Sequence, residues 1–291
     1  MSFTPWQPWP EAPEIPAGTL EEILDGGQAF RWKKIDGYFE GRWGQHVARL
    51  RPDCAGRIEY AFPESCDEDA ERQALARYLA TGTDFPALTD ALPWRSDPVL
   101  KKAITRFPGM RILRQPFSET LFCFLCSSAK QIPHIKAICE NVANGLGPAL
   151  PDGSHALPGW ATLAEAGESA LRDARLGYRA RYIHQCALFL AENPGWLEET
   201  AAAPANEARK RLVTLPGVGP KIADCVLLFG AGRLEAFPID TWIAKILARA
   251  YGLEDWPMPR LQAFARAHFG QTCGFAQQYL FSAVRAGIIP G

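Results

Sequence analysis

Lys221 stands on the first turn of a helix in Leu215-Pro-Gly-Val-Gly-Pro-Lys-Ile-Ala-Asp-Cys225, although a helix N-terminus carries partial positive charge and favours anions. The surrounding "RLVTLPGVGPKIAD" reads as helix, four-residue hairpin, helix. Gly217 and Gly219 let backbone approach a ligand closely, and Pro220 suits the first helical position because its missing N–H would be unpaired there anyway. The free amides at that helix start form an anion site suited to a phosphate. With a DNA phosphate held there, a lysine one turn in points at the adjacent sugar. Partial burial and the positive helix end both disfavour ammonium, and a neutral amine is a nucleophile able to attack C1′. The plainer alternatives are a tight hairpin joining two packed helices and a lysine reaching into solvent from a helix end.

Nineteen residues later Phe237-Pro-Ile-Asp240 precedes "TWIAKILARAYG". Asp240 suits an N-cap. A carboxylate there can also stabilise positive charge as a glycosidic bond breaks through an oxocarbenium-like state. One side chain can fill both roles.

The elements that must position these groups are legible in outline. The chain has 291 residues, 47% of them hydrophobic, enough for about two domains. Five prolines in the first twenty residues suggest an extended lead-in that packs on something rather than forming an element. From Gln28 the stretches "QAFRWKKI", "YFEGRWG", "QHVARLRP" and "RIEYAF" alternate and are broken by Asp36-Gly37 and Asp53-Cys-Ala-Gly56, as in an antiparallel meander. "DEDAERQALARYLATG" predicts a helix stopped by Gly82, and the Pro/Ser/Asp junction "LPWRSDP" closes this unit. Beyond Pro98 the pattern is helical almost throughout, with Pro133 breaking or restarting a helix. The expected fold class is α+β: an N-terminal antiparallel β-sheet domain with a helix, residues 1–97, then an all-helical helix-hairpin-helix domain, residues 98–291, with its hairpin at 212–225.

Net charge is −1, unevenly spread. Residues 1–100 carry 10 Lys+Arg against 17 Asp+Glu, and residues 101–291 carry 21 against 15, so a polyanion would meet the second part. The longest nearly apolar stretch, Thr120–Cys126, is far short of the roughly 18 to 20 residues that span a bilayer. No cationic, apolar leader opens the chain. Eight scattered cysteines in a chain too large to need staples argue for free thiols in a reducing compartment. The protein is therefore expected in the cytoplasm or nucleoid of a bacterium or the nucleus of a eukaryote, not secreted and not in a membrane.

Hairpin, lysine and downstream Pro-x-Asp together resemble the helix-hairpin-helix (HhH-GPD) DNA glycosylases, in particular the bifunctional 8-oxoguanine DNA glycosylase/AP lyases. The resemblance runs over nearly the whole chain: "GQAFRW" at 27–32, "RILRQ" at 111–115, "CSS" at 126–128, "LGYRARY" at 176–182, the hairpin at 215–225, "P.D" at 238–240 and "AQ...FSA" at 276–283. It implies that Lys221 is the nucleophile and Schiff-base former, with Asp240 its electrostatic partner. A flipped purine would lie between Phe281 and Cys225, with Gln277 on its Watson–Crick edge and Pro238 nearby. The Gly27 carbonyl would accept the N7–H that oxidised guanine has and guanine lacks. Gln277 and Phe281 are four residues apart, as are Lys221 and Cys225, so each pair shares a helix face. Stacking and edge hydrogen bonds are what reading an extruded base requires; core packing explains Phe281 and Cys225 taken singly.

The resemblance further implies that amides of Gly217, Gly219 and Ile222 hold phosphates, Tyr178 wedges into the gap left by the flipped base, and Arg179 contacts the base left behind. A monovalent cation would sit on the carbonyls of Val213, Leu215 and Val218, with no cofactor required. After Gly252 only Cys273 remains, so the four-cysteine iron–sulfur cluster of related branches is not expected. Cys123-x-x-Cys126 lacks a second pair and lies in an apolar helix, which speaks against zinc. Two departures concern the opposite strand. Where relatives have a gap-filling asparagine and a cytosine-reading arginine, this chain has Ala129 and His134, and Trp242 stands where eukaryotic members have a phosphate-contacting histidine. The expectation is a monomeric enzyme that releases 8-oxoguanine from double-stranded DNA and cleaves the strand by β-elimination. The alternatives are a glycosylase for another lesion, such as an alkylated purine, and a non-catalytic module that only grips DNA backbone.

Overall fold

The computed structural model describes residues 2–53, 55–128 and 130–290. The chain opens with a five-stranded antiparallel sheet, in the spatial order β1-β5-β4-β3-β2, and continues as a helical array, the expected α+β class. Strand β2 (Trp32–Ile35) turns into β3 (Tyr38–Trp43) through Asp36 and Gly37, at φ 39° and 91°, the left-handed pair that a two-residue hairpin needs. β4 (His46–Pro52) and β5 (Ile58–Ala61) complete the meander. Gly41 pairs with Trp32 across the β2–β3 ladder, and a Cβ on it would lie 2.1 Å from the Trp32 ring. That close approach lets Trp32 stack on Trp43, ring centres 5.9 Å apart, while its Nε1 donates to the Tyr78 hydroxyl at 3.0 Å.

The proline-rich lead-in departs from expectation. Gln7–Pro8 forms a short edge strand, β1, on β5, a position where proline's missing donor faces no partner strand. Helix α1 (Ala17–Asp25) follows, burying Leu20, Ile23 and Leu24. Its first residue has no side-chain cap, although the apolar spacing i, i+3, i+4 was there to be read.

Helix α2 (Glu68–Tyr78) is capped by Asp67, whose side chain accepts from the Ala70 amide, and carries three acids in its first turn, which complement the helix dipole. It ends before Gly82, where Ala80 turns left-handed at φ 50° and the Thr81 amide closes on Ala76 O at 3.0 Å, and the segment 111–115 takes the next carbonyls. The Arg111 guanidinium donates to Leu79 O at 2.7 Å and the Arg114 amide to Tyr78 O at 2.8 Å. Helices α3 (Phe85–Ala91) and α4 (Pro98–Arg106) are capped by Asp84 and Asp97.

Helix α5 (Phe117–Cys126) is followed by α6 (Ile132–Leu146), restarted with Pro133 in its first turn as expected. Then come α7 (Trp160–Asp173), α8 (Arg179–Glu192), α9 (Trp196–Ala202), α10 (Ala205–Leu212), α11 (Pro220–Phe229), α12 (Thr241–Tyr251), α13 (Met258–Phe269) and α14 (Cys273–Arg285). Gly167, at φ 79° and ψ 168°, breaks α7 in two. The apolar core is continuous from Trp9 to Ile289. α5, α11 and α14 are its most deeply sunk helices, and they carry the site. Seven cysteines are free thiols, and Cys54 lies outside the described residues. Cys139 joins the Cys123-x-x-Cys126 pair in the core, its sulfur 3.7 Å from that of Cys123. Among the described residues no group of side chains forms a metal-holding cluster, and no helix is long and apolar enough to cross a membrane.

Candidate active site

The hairpin is built as its residue types require. Helix α10 ends at Leu212, the chain turns through Leu215 and Val218, with the Val218 amide donating to Leu215 O at 3.1 Å, and α11 begins at Pro220. Gly217 is needed twice over. Its φ is 79°, and a Cβ would lie 2.9 Å from the Tyr182 Cβ. Gly219 differs, because a Cβ there would meet nothing within 4 Å; its lack of a side chain serves only whatever approaches from outside. Among the described residues neither glycine amide donates a hydrogen bond, so both stay open to an anion.

Lys221 projects from the first turn of α11 into a cavity of about 730 Å³. Its Nζ donates to Ser127 Oγ at 3.2 Å and lies 5.3 Å above the Phe124 ring. The Ser127 hydroxyl in turn donates to Phe124 O at 2.7 Å. Asp240 lines the same cavity. One of its carboxylate oxygens caps α12, accepting from the amides of Trp242 at 3.0 Å and Ile243 at 2.8 Å. Lys221 and Asp240 thus face one cavity, with Ser127 Oγ as an acceptor for the amine.

The remaining wall joins residues far apart in sequence. Gly27, Cys225, Pro238, Gln277 and Phe281 all line the cavity with Lys221 and Asp240. Gly27 has φ 106°, and a Cβ on it would lie 2.9 Å from Ile132 Cδ1 and 3.6 Å from the edge of the Phe281 ring. Only glycine satisfies both the dihedral and the space. Gln277 is 5% exposed, and its Oε1 has no hydrogen-bond partner. A buried amide oxygen left unpaired is destabilising, and this one belongs to a side chain on the cavity wall. Burial pushes the Cys225 thiol up to about 12, the positive charge of Lys221 only partly opposing it. It is therefore a neutral thiol on the cavity wall.

The motifs around Gly27 brace one another. Gln28 Nε2 donates to Arg111 O at 2.9 Å, its Oε1 accepts from the Leu113 amide at 3.1 Å, and Gln115 Nε2 donates to Gln28 O at 2.6 Å. "GQAFRW" and "RILRQ" are thus the two halves of one buried splint that fixes the chain just after Gly27.

Of the residues expected to meet the rest of the DNA, Ile222 lines the cavity, whereas Gly217, Gly219, Tyr178, Arg179 and His134 do not. Tyr178, 54% exposed, stands edge-to-face with Tyr182 beside the hairpin, and the Arg179 guanidinium lies 4.3 Å over the Tyr178 ring. Arg179 itself is buried. His134 is exposed on α6 and does not line the cavity, whereas Lys130, Gln131, Ile132 and Pro133 do. Ala129 lies outside the described residues. The side chain of Ile222 is buried.

Four groups at or near the site had no assigned role in the sequence reading. Ser127 sat unremarked inside "CSS". Trp242 and Met258, 44% and 47% exposed, form an apolar lip on the cavity, with Lys245 Nζ 5.4 Å over the Trp242 ring. Asp224 is fully buried on α11, paired with Arg209, and accepts from Gln262 Nε2 at 3.3 Å. It braces α10, α11 and α13 behind the hairpin.

Residues 15–121 match the family described as 8-oxoguanine DNA glycosylase, N-terminal domain, and residues 123–267 match the HhH-GPD superfamily base excision DNA repair proteins. The N-glycosylase/DNA lyase OGG1 of Arabidopsis thaliana is 32% identical over 283 residues, 91% of this chain and 77% of that protein. The N-glycosylase/DNA lyase of Saccharomyces cerevisiae is 31% identical over 257 residues, 80% of this chain and 68% of that one. Among solved structures, the 8-oxoguanine glycosylase/lyase of Clostridium acetobutylicum, in complex with double-stranded DNA containing cytosine opposite 8-oxoguanine, superposes with a TM-score of 0.87. It is 28% identical and the match covers 99% of this chain and all of that one. The chain therefore belongs to the 8-oxoguanine DNA glycosylase family, N-glycosylase/DNA lyases built on the helix-hairpin-helix fold.

Proposed function

We propose that this enzyme excises 8-oxoguanine from duplex DNA and then cleaves the strand, with Lys221 as nucleophile. The observation that carries the reading is one cavity lined jointly by a lysine amine, a capping carboxylate, a buried unpaired amide oxygen and an aromatic ring. The Lys221 lone pair attacks C1′ as the bond to N9 breaks and its electrons leave with the purine. Asp240, held by two amides, stabilises the positive charge that builds on the sugar. The amine gives up a proton and O4′ takes one as the C1′–O4′ bond opens, leaving a protonated imine between Lys221 and C1′. Loss of a C2′ proton expels the 3′ phosphate, and the strand is cut.

Gln277 and Phe281 read the extruded base by edge and face, and Cys225 and Pro238 close its other side. The Gly27 carbonyl accepts the N7–H that marks the oxidised base. A site built around a specific N–H rejects the analogue lacking it far better than one reading shape alone. The amides of Gly217, Gly219 and Ile222 grip the backbone, while Tyr178 and Arg179 meet the gap and the unpaired base. The carbonyls of Val213, Leu215 and Val218 are hard oxygen donors suited to a monovalent cation, and Leu215 O keeps a second lone pair beside its bond to Val218. A bound cation would add positive charge beneath the phosphate. On this reading residues 1–97 are a bracing domain and residues 98–291 the DNA-binding one.

Borohydride trapping on an 8-oxoguanine duplex tests the proposal. The wild type is expected to give a covalent adduct, and Lys221→Gln to bind without one. An undiminished adduct in the variant would move the nucleophile elsewhere, and preferential release of 3-methyladenine would make this an alkylated-base enzyme instead.

A further inference from the structure

We propose that Arg285, paired with Glu22, is a positioning residue for lesion reading: it clamps the Gly26–Gly27 corner to the helix that carries Gln277 and Phe281. This rests on the excision reading above and adds a specificity determinant to it. Arg285 is the last residue of α14 and Glu22 lies in α1, 263 positions earlier. Arg285 Nη1 donates to Glu22 Oε1 at 2.8 Å and also to the carbonyl oxygen of Gly26. Its guanidinium lies 5.7 Å from the centre of the Phe281 ring, and it lines the cavity.

The corner needs such a clamp. Gly26 caps the C-terminus of α1, where carbonyls lack helical partners, and Gly27 follows at φ 106°. Two consecutive glycines carry the greatest backbone freedom in the chain. Downstream, the Gln28 splint already immobilises the backbone. Upstream, α1 is packed into the core through Leu20, Ile23 and Leu24. Between them the Gly26 amide bonds back to Glu22 O at 3.0 Å, and rotation about the 26–27 joint would re-aim the carbonyl that meets N7–H. A charge-assisted bond from Arg285 stops that motion, and it starts from the helix that sets the ring face. One side chain thereby fixes the distance between the two reading elements.

An ordinary brace between the chain's first and last helices would use the same bonds, so the test must separate the two. Cleavage at a pre-formed abasic site needs Lys221 but no base pocket. Single-turnover release of 8-oxoguanine and strand cleavage at an abasic site are therefore compared in Arg285→Ala, Arg285→Lys and Glu22→Gln. Misplacing a reading group by about 1 Å can cost on the order of 100-fold. Arg285→Ala is expected to lose roughly 10- to 100-fold in base release and less than about 3-fold in abasic cleavage. Arg285→Lys should recover part of the loss, since it keeps the charge without the planar fork. Equal losses in both reactions, or no loss in base release, would overturn the proposal. Should Arg285→Ala not fold, the lysine and Glu22→Gln variants carry the same comparison. A wild type that cleaves abasic DNA without releasing 8-oxoguanine would sink the excision reading and this proposal with it. A normal wild type with an unchanged ratio in the variants would sink this one alone.

Discussion

Lys221 Nζ lies 3.2 Å from Ser127 Oγ, whose own proton is committed to the carbonyl oxygen of Phe124 at 2.7 Å. The serine therefore presents a lone pair to the amine and gives its own proton to the backbone. Ser127→Ala removes that tether. A hydrogen bond of this kind is worth about 1 to 1.5 kcal/mol, or roughly tenfold in rate. Borohydride trapping should slow by about that factor while affinity for the duplex stays unchanged. A loss of less than about twofold would mean that packing of the lysine stem on Phe124 is sufficient to aim it.

Gln277 combines near-complete burial with an unpaired Oε1, so stability and activity should move in opposite directions there. Gln277→Leu removes the orphaned amide and should stabilise the free protein by about 1 to 3 kcal/mol in urea unfolding. The same change should lower release of 8-oxoguanine on the order of 100-fold, because the base edge loses its partner. A variant that is both less stable and fully active would show that the amide serves packing alone.

On the resemblance to the glycosylase/lyases, Ala129 and His134 stand where an asparagine and an arginine would meet the opposite strand. His134 is exposed and does not line the cavity, while Lys130 and Gln131 do. A bidentate arginine contact is worth roughly 1–3 kcal/mol of base discrimination, and it is absent here. Excision opposite C, T, G and A should accordingly vary less than in an Asn/Arg-bearing relative at matched salt and pH. Ala129→Asn/His134→Arg should restore preference for cytosine by about one power of ten. Strong cytosine selectivity in the wild type, unmoved by the double substitution, would assign the reading to other residues.

Asp224 sets a pH dependence of stability. Burial raises its carboxyl from 3.8 to about 7, against the opposing pull of Arg209, Arg266 and Gln262. The native state then holds a proton that the unfolded chain releases between about pH 4 and 7. Its contribution is fully present below the unfolded value and is lost as pH rises through about 7. Unfolding free energy should fall over that window by at most about 4 kcal/mol, at 1.36 kcal/mol per unit. Asp224→Asn should flatten the slope in urea unfolding at pH 5 and pH 8. A slope that survives the substitution would belong to another group.

The local chemistry was readable wherever a residue acts through its own backbone. Pro220 opens α11, Asp240 caps α12 through two amides, Asp36-Gly37 turns β2 into β3, and Pro133 restarts α6. Each depends on dihedral preference or a cap within a few positions, which sequence states directly. The early helix α1 is equally local, but no capping side chain marks its start. Contacts between distant positions were another matter. Gln28 locks to Arg111 and Leu113, Arg285 reaches back to Glu22 and Gly26, Cys139 joins Cys123, and Asp224 meets Arg209 and Gln262 only once α10, α11 and α13 have packed. No periodicity carries such pairings, because they arise from how helices cross and not from how any one forms. Residue types along the chain specified an amine, a carboxylate and the hairpin that presents them. Packing of α5, α11 and α14 against the Gly26–Gly27 corner set the cavity, because a carbonyl, an amide and a ring face converge only when the chain's two ends have been brought together.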